Sequence, residues 1–499
     1  MDAVRRDYSM QNDTRYKYSF NMSMLMDFYE LTMANGYYAK GFQDKIVCFD
    51  MFFRRIPDNG GYAIMAGVEQ LVEYMKSLCF DEEDIEYLRK KAIFQEEFLD
   101  YLKNFRFICD VWAIPEGMPI FPGEPLIKVR GPIIQAQLIE TMILLTINHQ
   151  CLIATKANRI CRAAQGRPVS EFGSRRAQGS HGAIMGARAA FIGGCTGTAC
   201  AMAERDFNIP AVGTMAHSWV QTFDTEYESF EAYADVYPDN SIFLVDTYNV
   251  VKSGVPNVIR LAQEKMIPNG HRPRAIRIDS GDITYLSKMA RKMLDEAGLS
   301  DCMILVSNSL DEYIIRDILV QGACIDSFGV GEKLITSQSE PVFGGVYKLA
   351  GIIQPDGSVE PKLKLSENVE KITLPGDKQV MRLFSRKNDK MLADVIVLSG
   401  ETISEDRPYE IFDPENTWKR KVLYDFYVQS LLQPIFEKGN CVYEPEPLEQ
   451  IRGRCIRQVG NLWEEVTRFE NPQKYFVDLS QDLWDLKYGM LANLAGMTW

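Results

Sequence analysis

The sequence predicts an α/β fold: an irregular TIM-like barrel, preceded by a smaller α+β domain and followed by a cap. Two observations lead to this prediction. From Pro168 to Thr336, apolar segments alternate with helix-like stretches, and successive strand ends lie roughly 20 to 40 residues apart, as βα units require. Each apolar segment also ends in small or polar residues, which a barrel would bring to one mouth.

Composition narrows the function classes. A chain of 499 residues is too long for one typical domain. Its formal net charge of −13 argues against nucleic acid or an anionic membrane as the main partner, but allows a local basic pocket. The most apolar run, Leu138 to Ile147, contains Glu140 and looks too short to span a bilayer. Eleven scattered cysteines without a CxxC pair are typical of a reducing cytosol, so we expect a cytoplasmic protein.

Residues 1–160 are predicted to form the α+β domain. A helix-like stretch after Asn21 places Leu25, Phe28 and Leu31 on one face, whereas Tyr29 falls on a flank that helix statistics assign to solvent. The remaining predicted elements are a strand in KIVCFDMFFRRIP, helices from Leu71 to Leu102, short strands with proline turns from Phe107 to Arg130, and a long helix from Ile134 to Gln165.

Residues 161–342 carry the alternating pattern and form the predicted barrel domain. Its strand ends are PVSEFG, AVGTMAHSWVQTF, SIFLVDTYNV, RAIRIDSGD, CMILVSNSLDE and CIDSFGVGEKLIT, with a Gly/Thr loop in IGGCTGTACA. After Val342 the regularity ends. Strands between about 343 and 400 could rejoin the N-terminal domain, and residues 401–499 are predicted to form a helical and irregular cap.

Two adjacent arginines follow the first strand of this domain. Arginine has a planar fork that binds carboxylate or phosphate, and glycines beside Arg175 leave room for a ligand. For a single arginine, a structural ion pair is equally expected. Phe172, just before, is either a core residue or a flat stacking surface.

Two later strand ends suit phosphate. Ser307, Asn308 and Ser309 supply hydrogen-bond groups in front of a predicted helix, whose N-terminus attracts anions. Gly329 and Gly331 lie in the last unit of the series, where backbone amides can approach a phosphate closely.

The IRIDSGD segment places a cation and a carboxylate side by side. Arg277 and Asp279 alternate with Ile278 and therefore share one face of the strand. Asp279 and Ser280 could bind ribose hydroxyls or Mg²⁺, whereas Asp282 suits the N-cap of the next helix.

His217 is one of only four histidines, and it follows an apolar segment that predicts a strand. Three interpretations stay open from the residues alone. It could be an ordinary loop or core histidine, a general base, or a nucleophile that accepts a phosphoryl group.

Seven motifs together resemble the nicotinate phosphoribosyltransferase family, which includes enzymes that use nicotinamide. They occur in the family's order: DFYELTMANGYY, EFGSRRAQG, GTMAHSWVQ, LVDTYNV, IRIDSGD, VSNSLDEY and FGVGEKLITS. The resemblance covers residues 1–400 well. It implies an ATP-dependent, ligase-class enzyme that joins nicotinate to 5-phosphoribosyl 1-diphosphate, giving nicotinate mononucleotide and diphosphate in NAD salvage.

The resemblance also implies residue roles. His217 resembles the phosphohistidine that couples ATP hydrolysis, with Mg²⁺ on the diphosphate. Phe172 resembles the aromatic residue that stacks on the pyridine ring, and Tyr29 its second face, supplied by the other subunit of a homodimer. Arg175 and Arg277 resemble the groups that bind phosphates or the substrate carboxylate. Asp279 resembles the acid that holds ribose hydroxyls.

One departure bears on the substrate. Nicotinamide-using relatives carry an acid where this chain has Gly197, after Thr196. An acid would repel the carboxylate of nicotinate, so its absence favours nicotinate over nicotinamide. The alternatives are a nicotinamide-using enzyme and a catalytically silent regulatory relative on the same fold.

Overall fold

The computed structural model describes residues 21–368 and 371–496. Residues 1–20 of the predicted first domain, 369–370 of the predicted returning strands and 497–499 of the predicted cap lie outside this description. The described α-helices are α1 Phe28–Ala39, α2 Val68–Ser77, α3 Glu82–Lys90, α4 Glu96–Lys103, α5 Ile133–Gln137, α6 Glu140–Ala163, α7 Gly179–Ile192, α8 Ala201–Phe207, α9 His217–Gln221, α10 Glu226–Val236, α11 Val255–Leu261, α12 Ile283–Glu296, α13 Glu312–Val320, α14 Glu332–Ile335, α15 Leu448–Gly460 and α16 Gln481–Gly496.

The strands are grouped in sheets. They are β1 Ile46–Phe53, β2 Ala63–Ile64, β3 Asp110–Ala113, β4 Pro119–Ile120, β5 Ile127–Pro132, β6 Val169–Glu171, β7 Gly197–Thr198, β8 Ile242–Leu244, β9 Ala275–Ile278, β10 Met303–Ser307, β11 Ser327–Val330, β12 Gly345–Ile353, β13 Val359–Pro361, β14 Lys378–Ser385, β15 Met391–Leu398, β16 Tyr409–Phe412, β17 Arg420–Leu423, β18 Phe426–Ser430, β19 Gln433–Glu437, β20 Asn440–Cys441 and β21 Val477–Leu479.

The N-terminal sheet is built from distant parts of the chain. Its order is β13-β12-β1-β5-β3-β19-β20, and β1 pairs antiparallel with both β12 and β5. The apolar residues of β1 are nearly all buried, as expected for a central strand. The single carboxylate within it, Asp50, forms a buried ion pair with Lys378 at 2.8 Å.

A long helical stretch, Ile133–Ala163, packs inside the molecule. It extends beyond the apolar run seen in the sequence and is long and apolar enough to cross a membrane by length and composition alone. However, 72% of its most apolar window is buried within the protein. Lys156 and Arg159 on α6 form buried ion pairs with Glu312, at 2.9 and 2.7 Å. These contacts identify it as a core helix.

The second sheet carries the alternating units, but it does not close. Its six strands are all parallel, in the order β7-β6-β11-β10-β9-β8. The predicted irregular TIM-like barrel is therefore not found, since the described residues form no closed barrel. In its place is an open sheet with β7 and β8 at its two edges.

The segment before His217, which was predicted to be a strand, does not add a strand to this sheet. Ala211 forms a single parallel bridge to Thr198, and the extended residues that follow make no further ladder. His217 then begins the short helix α9 rather than lying in a loop. The side chain of Thr214 still reaches Arg277 on β9, so this segment lies across the open side without completing the sheet.

The C-terminal part is richer in strands than predicted. Residues after 401 contribute β16 to β21 as well as helices α15 and α16. A four-stranded sheet, β18-β14-β15-β21, has the buried ion pair Arg382–Asp394 at its centre. The sequence hid these strands because they are short and lie among proline and tryptophan residues, without a clear period of two.

Candidate active site

A cavity of about 490 Å³ lies at the carboxyl ends of the parallel strands. Parallel strands all end at the same edge of a sheet, so the polar clusters that follow β6, β9, β10 and β11 meet there. The predicted site residues that line the cavity are Phe172, Arg175, Arg277, Asp279, Ser307, Asn308, Ser309, Gly329 and Gly331.

Two arginines give the cavity a positive wall. The Arg277 Nη1 donates a hydrogen bond to Thr214 Oγ1, while its Nε is buried without a partner. Burial lowers the pKa of Arg277, and nearby Arg175 lowers it further, whereas Asp279 and Asp246 act in the opposite direction. Arg175 forms no salt bridge with any described residue. Two cations that repel each other favour an anion between them.

Asp279 lies between a hydroxyl and an imidazole. Ser307 Oγ donates to Asp279 Oδ1, and His217 Nε2 lies 3.8 Å from Asp279 Oδ2. On the other side of the ring, His217 Nδ1 is 3.1 Å from Thr247 Oγ1. The imidazole is thus held at one nitrogen by Thr247 and presents the other toward the cavity's carboxylate.

Asp246 is a site residue that sequence reasoning missed. Its Oδ2 accepts hydrogen bonds from the Asp279 backbone N–H at 3.1 Å and from Ser280 Oγ at 2.6 Å. Its Oδ1 is buried and has no hydrogen-bond partner in the described part of the chain. Asp246 therefore fixes the backbone that carries Asp279. The motif LVDTYNV, which contains both Asp246 and Thr247, could have revealed them. Both residues follow β8 at the same edge of the sheet as the other site residues.

Phe172 packs against two glycines of a neighbouring segment, Gly329 on β11 and Gly331 just after it. A Cβ at Gly329 would lie 2.5 Å from the Phe172 ring, and one at Gly331 would lie 2.9 Å from the Phe172 carbonyl oxygen. Buried Glu171 accepts from the Gly173 N–H and, at 2.7 Å, from Thr198 Oγ1. In this structure the two glycines make room for an aromatic ring at the edge of the cavity.

Gly329→Ala tests this packing. The added methyl group should push the Phe172 ring from its place, at a cost on the order of 1–3 kcal/mol. If Phe172 stacks on a substrate ring, the KM for that substrate should rise by about tenfold or more, measured by steady-state kinetics. Gly489→Ala is the matched control, because a Cβ there meets nothing within 4 Å. An unchanged KM for Gly329→Ala would contradict the packing role.

The loop after β10 has an unusual backbone. Asn308 and Ser309 both adopt positive φ, 114° and 30°. Such conformations cost about 1–3 kcal/mol for non-glycine residues and concentrate at functional sites. This backbone conformation directs the loop into the cavity in front of α13. Asp311, the N-cap residue of α13, accepts a hydrogen bond of 2.6 Å from Lys333 Nζ.

Five predicted site residues lie outside the cavity lining. One is His217, whose Nε2 lies 3.8 Å from the lining residue Asp279. Ser280 is turned toward Asp246, as described. Thr196 and Gly197 lie beside β6, where a Cβ at Gly197 would meet Val212, itself a lining residue, at 2.8 Å. Tyr29 is 45% exposed on α1, next to Glu140 and away from this cavity within one chain.

The chain is similar to known proteins along most of its length. Three family models match: the N-terminal domain of nicotinate phosphoribosyltransferase at residues 24–148, the nicotinate phosphoribosyltransferase family at 168–351, and the C-terminal domain at 377–487. The nicotinate phosphoribosyltransferase of Bacillus subtilis is 41% identical over 469 residues, covering 94% of each chain. One from Mycobacterium tuberculosis is 44% identical, covering 90% of this chain and 89% of that protein.

A solved structure shows the same fold. The crystal structure of human nicotinic acid phosphoribosyltransferase aligns with a TM-score of 0.83 at 26% identity, covering 93% of this chain and 99% of that one. The matched family models span most of the chain, and the bacterial relatives are similar from end to end. The chain therefore belongs to the nicotinate phosphoribosyltransferase family.

Proposed function

We propose that this protein transfers phosphoribosyl from 5-phosphoribosyl 1-diphosphate to nicotinate, producing nicotinate mononucleotide and diphosphate. The observation that carries the proposal is the pair Arg175 and Arg277 facing one cavity beside Phe172. An aromatic ring next to two cations suits a flat pyridine that bears a carboxylate, together with a phosphorylated sugar. Family membership supports the same reaction.

The chemistry requires positioning rather than proton transfer. The ring nitrogen of nicotinate carries a lone pair at neutral pH, so it can attack the anomeric carbon without a general base. The bond from that carbon to diphosphate breaks, and the sugar passes through an oxocarbenium-like state. Asp279 would hold the ribose hydroxyls, while Arg175 and Arg277 stabilise the charge that develops on the leaving diphosphate.

Mg²⁺ fits the carboxylates at this edge of the cavity. Among the described residues no group of three or more His, Cys, Asp or Glu side chains is placed to hold a metal ion by itself. Mg²⁺ usually binds one or two carboxylates plus substrate phosphates. Asp279 and the unpartnered Oδ1 of Asp246 would supply those carboxylates. The ion would neutralise charge on the diphosphate.

ATP coupling through His217 is the second part of the proposal. In the tautomer whose Nδ1–H donates to Thr247, Nε2 keeps its lone pair and faces Asp279 at the cavity edge. Nε2 would attack the γ-phosphorus of ATP, ADP would leave, and water would later release phosphate from the histidine. A phosphoryl group on His217 would lie next to Asp279 and change the charge around the diphosphate site.

The substrate preference rests on Gly197. The cavity wall near it carries no carboxylate from that position, so nicotinate meets no repulsion there. Turnover of nicotinate, nicotinamide and quinolinate under identical conditions tests the function directly. We expect nicotinate to be preferred over nicotinamide by at least about 100-fold, which corresponds to roughly 2.7 kcal/mol. Equal use of nicotinamide would refute the Gly197 argument.

We further propose a homodimer in which Tyr29 completes the site of the partner. Tyr29 does not line its own chain's cavity, and on α1 it is accompanied by exposed Phe28 and Met33, with exposed Leu25 just before the helix. Such a group of exposed apolar side chains is typical of an interface. The eleven cysteines, all free thiols, are compatible with the cytoplasm as the place of action.

Mixing two inactive variants tests the shared site. Tyr29→Ala and Arg277→Ala proteins, exchanged into mixed dimers, should regain activity, because each mixed dimer contains one intact site. Random exchange should restore about a quarter of the wild-type sites. Pairing Arg277→Ala with Asp279→Ala, both on one chain's cavity, is the control and should restore nothing. Equal results for the two mixtures would argue against a site completed by Tyr29.

A further inference from the structure

A second, larger cavity lies away from the proposed active site. Its volume is about 650 Å³, and it opens between the N-terminal sheet and the C-terminal unit formed by β15, β21 and α16. We call it the inter-sheet cavity. None of the predicted site residues lines it, and the proposed reaction makes no use of it.

One side of the inter-sheet cavity is apolar and rigid. The rings of Phe121 and Tyr475 stack with centroids 4.0 Å apart. Phe53, Leu349 and Leu479 continue this wall from β1, β12 and β21. Because these elements come from both the N-terminal sheet and the C-terminal unit, a ligand here would touch both.

The lining of this cavity also carries more cationic than anionic side chains. Arg54, Lys474 and Lys487 line the cavity, and within the described part of the chain none of them forms a salt bridge. The acids nearby are already engaged. Asp50 is paired with Lys378 at 2.8 Å, and Asp413 accepts two backbone N–H bonds of 2.9 Å from the turn that follows it. Exposed Glu415 is the remaining carboxylate in the lining, and its charge acts to raise the pKa of Lys487.

Two buried polar atoms in the lining lack partners among the described residues. They are Arg54 Nε, which finds no acceptor, and Asp50 Oδ1, which finds no donor although Asp50 is only 4% exposed. A buried polar atom without a partner costs about 1–3 kcal/mol. Burial also lowers the pKa of Lys487. An anionic group near Arg54 and Lys487, together with a hydroxyl or amine near Asp50, would remove these costs.

We propose that the inter-sheet cavity is a binding site for a nucleoside monophosphate, separate from the catalytic cavity. The phosphate would bind Arg54, Lys474 and Lys487. The base would lie against the apolar wall, and a ribose hydroxyl or base amine would donate to Asp50. The volume lies within the usual range for small-ligand sites. A ligand bound there would join the N-terminal sheet to the C-terminal unit.

Lysine labelling with pyridoxal 5′-phosphate tests the proposal on the intact protein. Its aldehyde condenses with an unprotonated amine, losing water, and borohydride reduces the resulting imine to a stable amine. Pyridoxal 5′-phosphate should label Lys487 about tenfold faster than pyridoxal does, because pyridoxal lacks the phosphate. Peptide mass spectrometry identifies the labelled lysine. AMP should suppress this labelling, and adenosine should not.

The controls separate this site from the catalytic one. Arg54→Met should abolish the preference for the phosphorylated reagent at Lys487. Arg277→Ala, which disables the proposed catalytic cavity, should leave both the labelling and the AMP protection unchanged. Lys292, 68% exposed on α12, should show no AMP protection in any variant. Equal rates with both reagents, absence of label on Lys487, or loss of AMP protection in Arg277→Ala would overturn the proposal.

Discussion

Replacing Arg277 by alanine should lower kcat/KM for 5-phosphoribosyl 1-diphosphate by about 10²- to 10³-fold, the usual cost of losing a charge-stabilising donor. The guanidinium is half-buried, its Nε has no protein partner, and it faces the cavity next to Arg175. Removing it leaves the developing negative charge of diphosphate with one arginine instead of two. Steady-state and single-turnover kinetics would measure the loss.

Arg274→Ala is the matched control for this variant. Arg274 lies one residue before β9, is exposed, and bonds Asn240 on the far side from the cavity. It should retain wild-type kinetics. Arg277→Lys should fall between the two, because lysine keeps the charge but loses the planar fork. A wild-type value for Arg277→Ala, or an equal loss in Arg274→Ala, would contradict the role assigned to Arg277.

Replacing His217 by alanine should abolish the acid-labile phosphate that labelled ATP leaves on the wild-type protein. Nδ1 lies beside Thr247 and Nε2 faces Asp279 at the cavity edge, so Nε2 is the nitrogen expected to accept the phosphoryl group. The transfer of phosphoribosyl to nicotinate should continue without ATP hydrolysis, at a reduced rate. Phosphate release and nucleotide formation, measured together, would show the separation.

His271→Ala serves as the control for the histidine. His271 bonds Asp239 at 2.7 Å and lies outside the cavity lining. This variant should still form the phosphoenzyme, and the ratio of ATP hydrolysed to nucleotide formed should be unchanged. Label retained in His217→Ala would place the phosphoryl group elsewhere. Complete loss of the uncoupled reaction would give His217 a direct part in the transfer.

Local patterns predicted the elements better than their assembly. The strand at β1, the long helix at α5 and α6, and the parallel units from β6 to β11 all follow from apolar runs and turn residues. The same patterns did not determine whether the parallel sheet closes into a barrel. Whether Ala211 and its neighbours form a ladder depends on strands far away in the chain, and only one bridge forms. The C-terminal strands failed for a similar reason, since they are short and depend on partners distant in sequence.

The residues that line the cavity were predicted where polar groups or glycines stand at the end of a strand. Arg277 and Gly329 lie near the ends of β9 and β11, Asp279 follows β9 directly, and the parallel sheet brings them together. Asp246 and Thr247 were missed because their roles depend on contacts with Asp279, Ser280 and His217, which the spacing in LVDTYNV does not reveal. The phosphate-binding role predicted for Gly329 stays a prediction, and the structure adds that the absence of a side chain there leaves room for the Phe172 ring.

A crystal structure of the protein with nicotinate and diphosphate tests the central claim most directly. We predict that the pyridine ring stacks on Phe172, with Tyr29 of the partner subunit on its other face. The anionic groups should lie between Arg175 and Arg277. Nicotinate found in the inter-sheet cavity, or bound away from Phe172 with both arginines unoccupied, would contradict the assignment of the catalytic site.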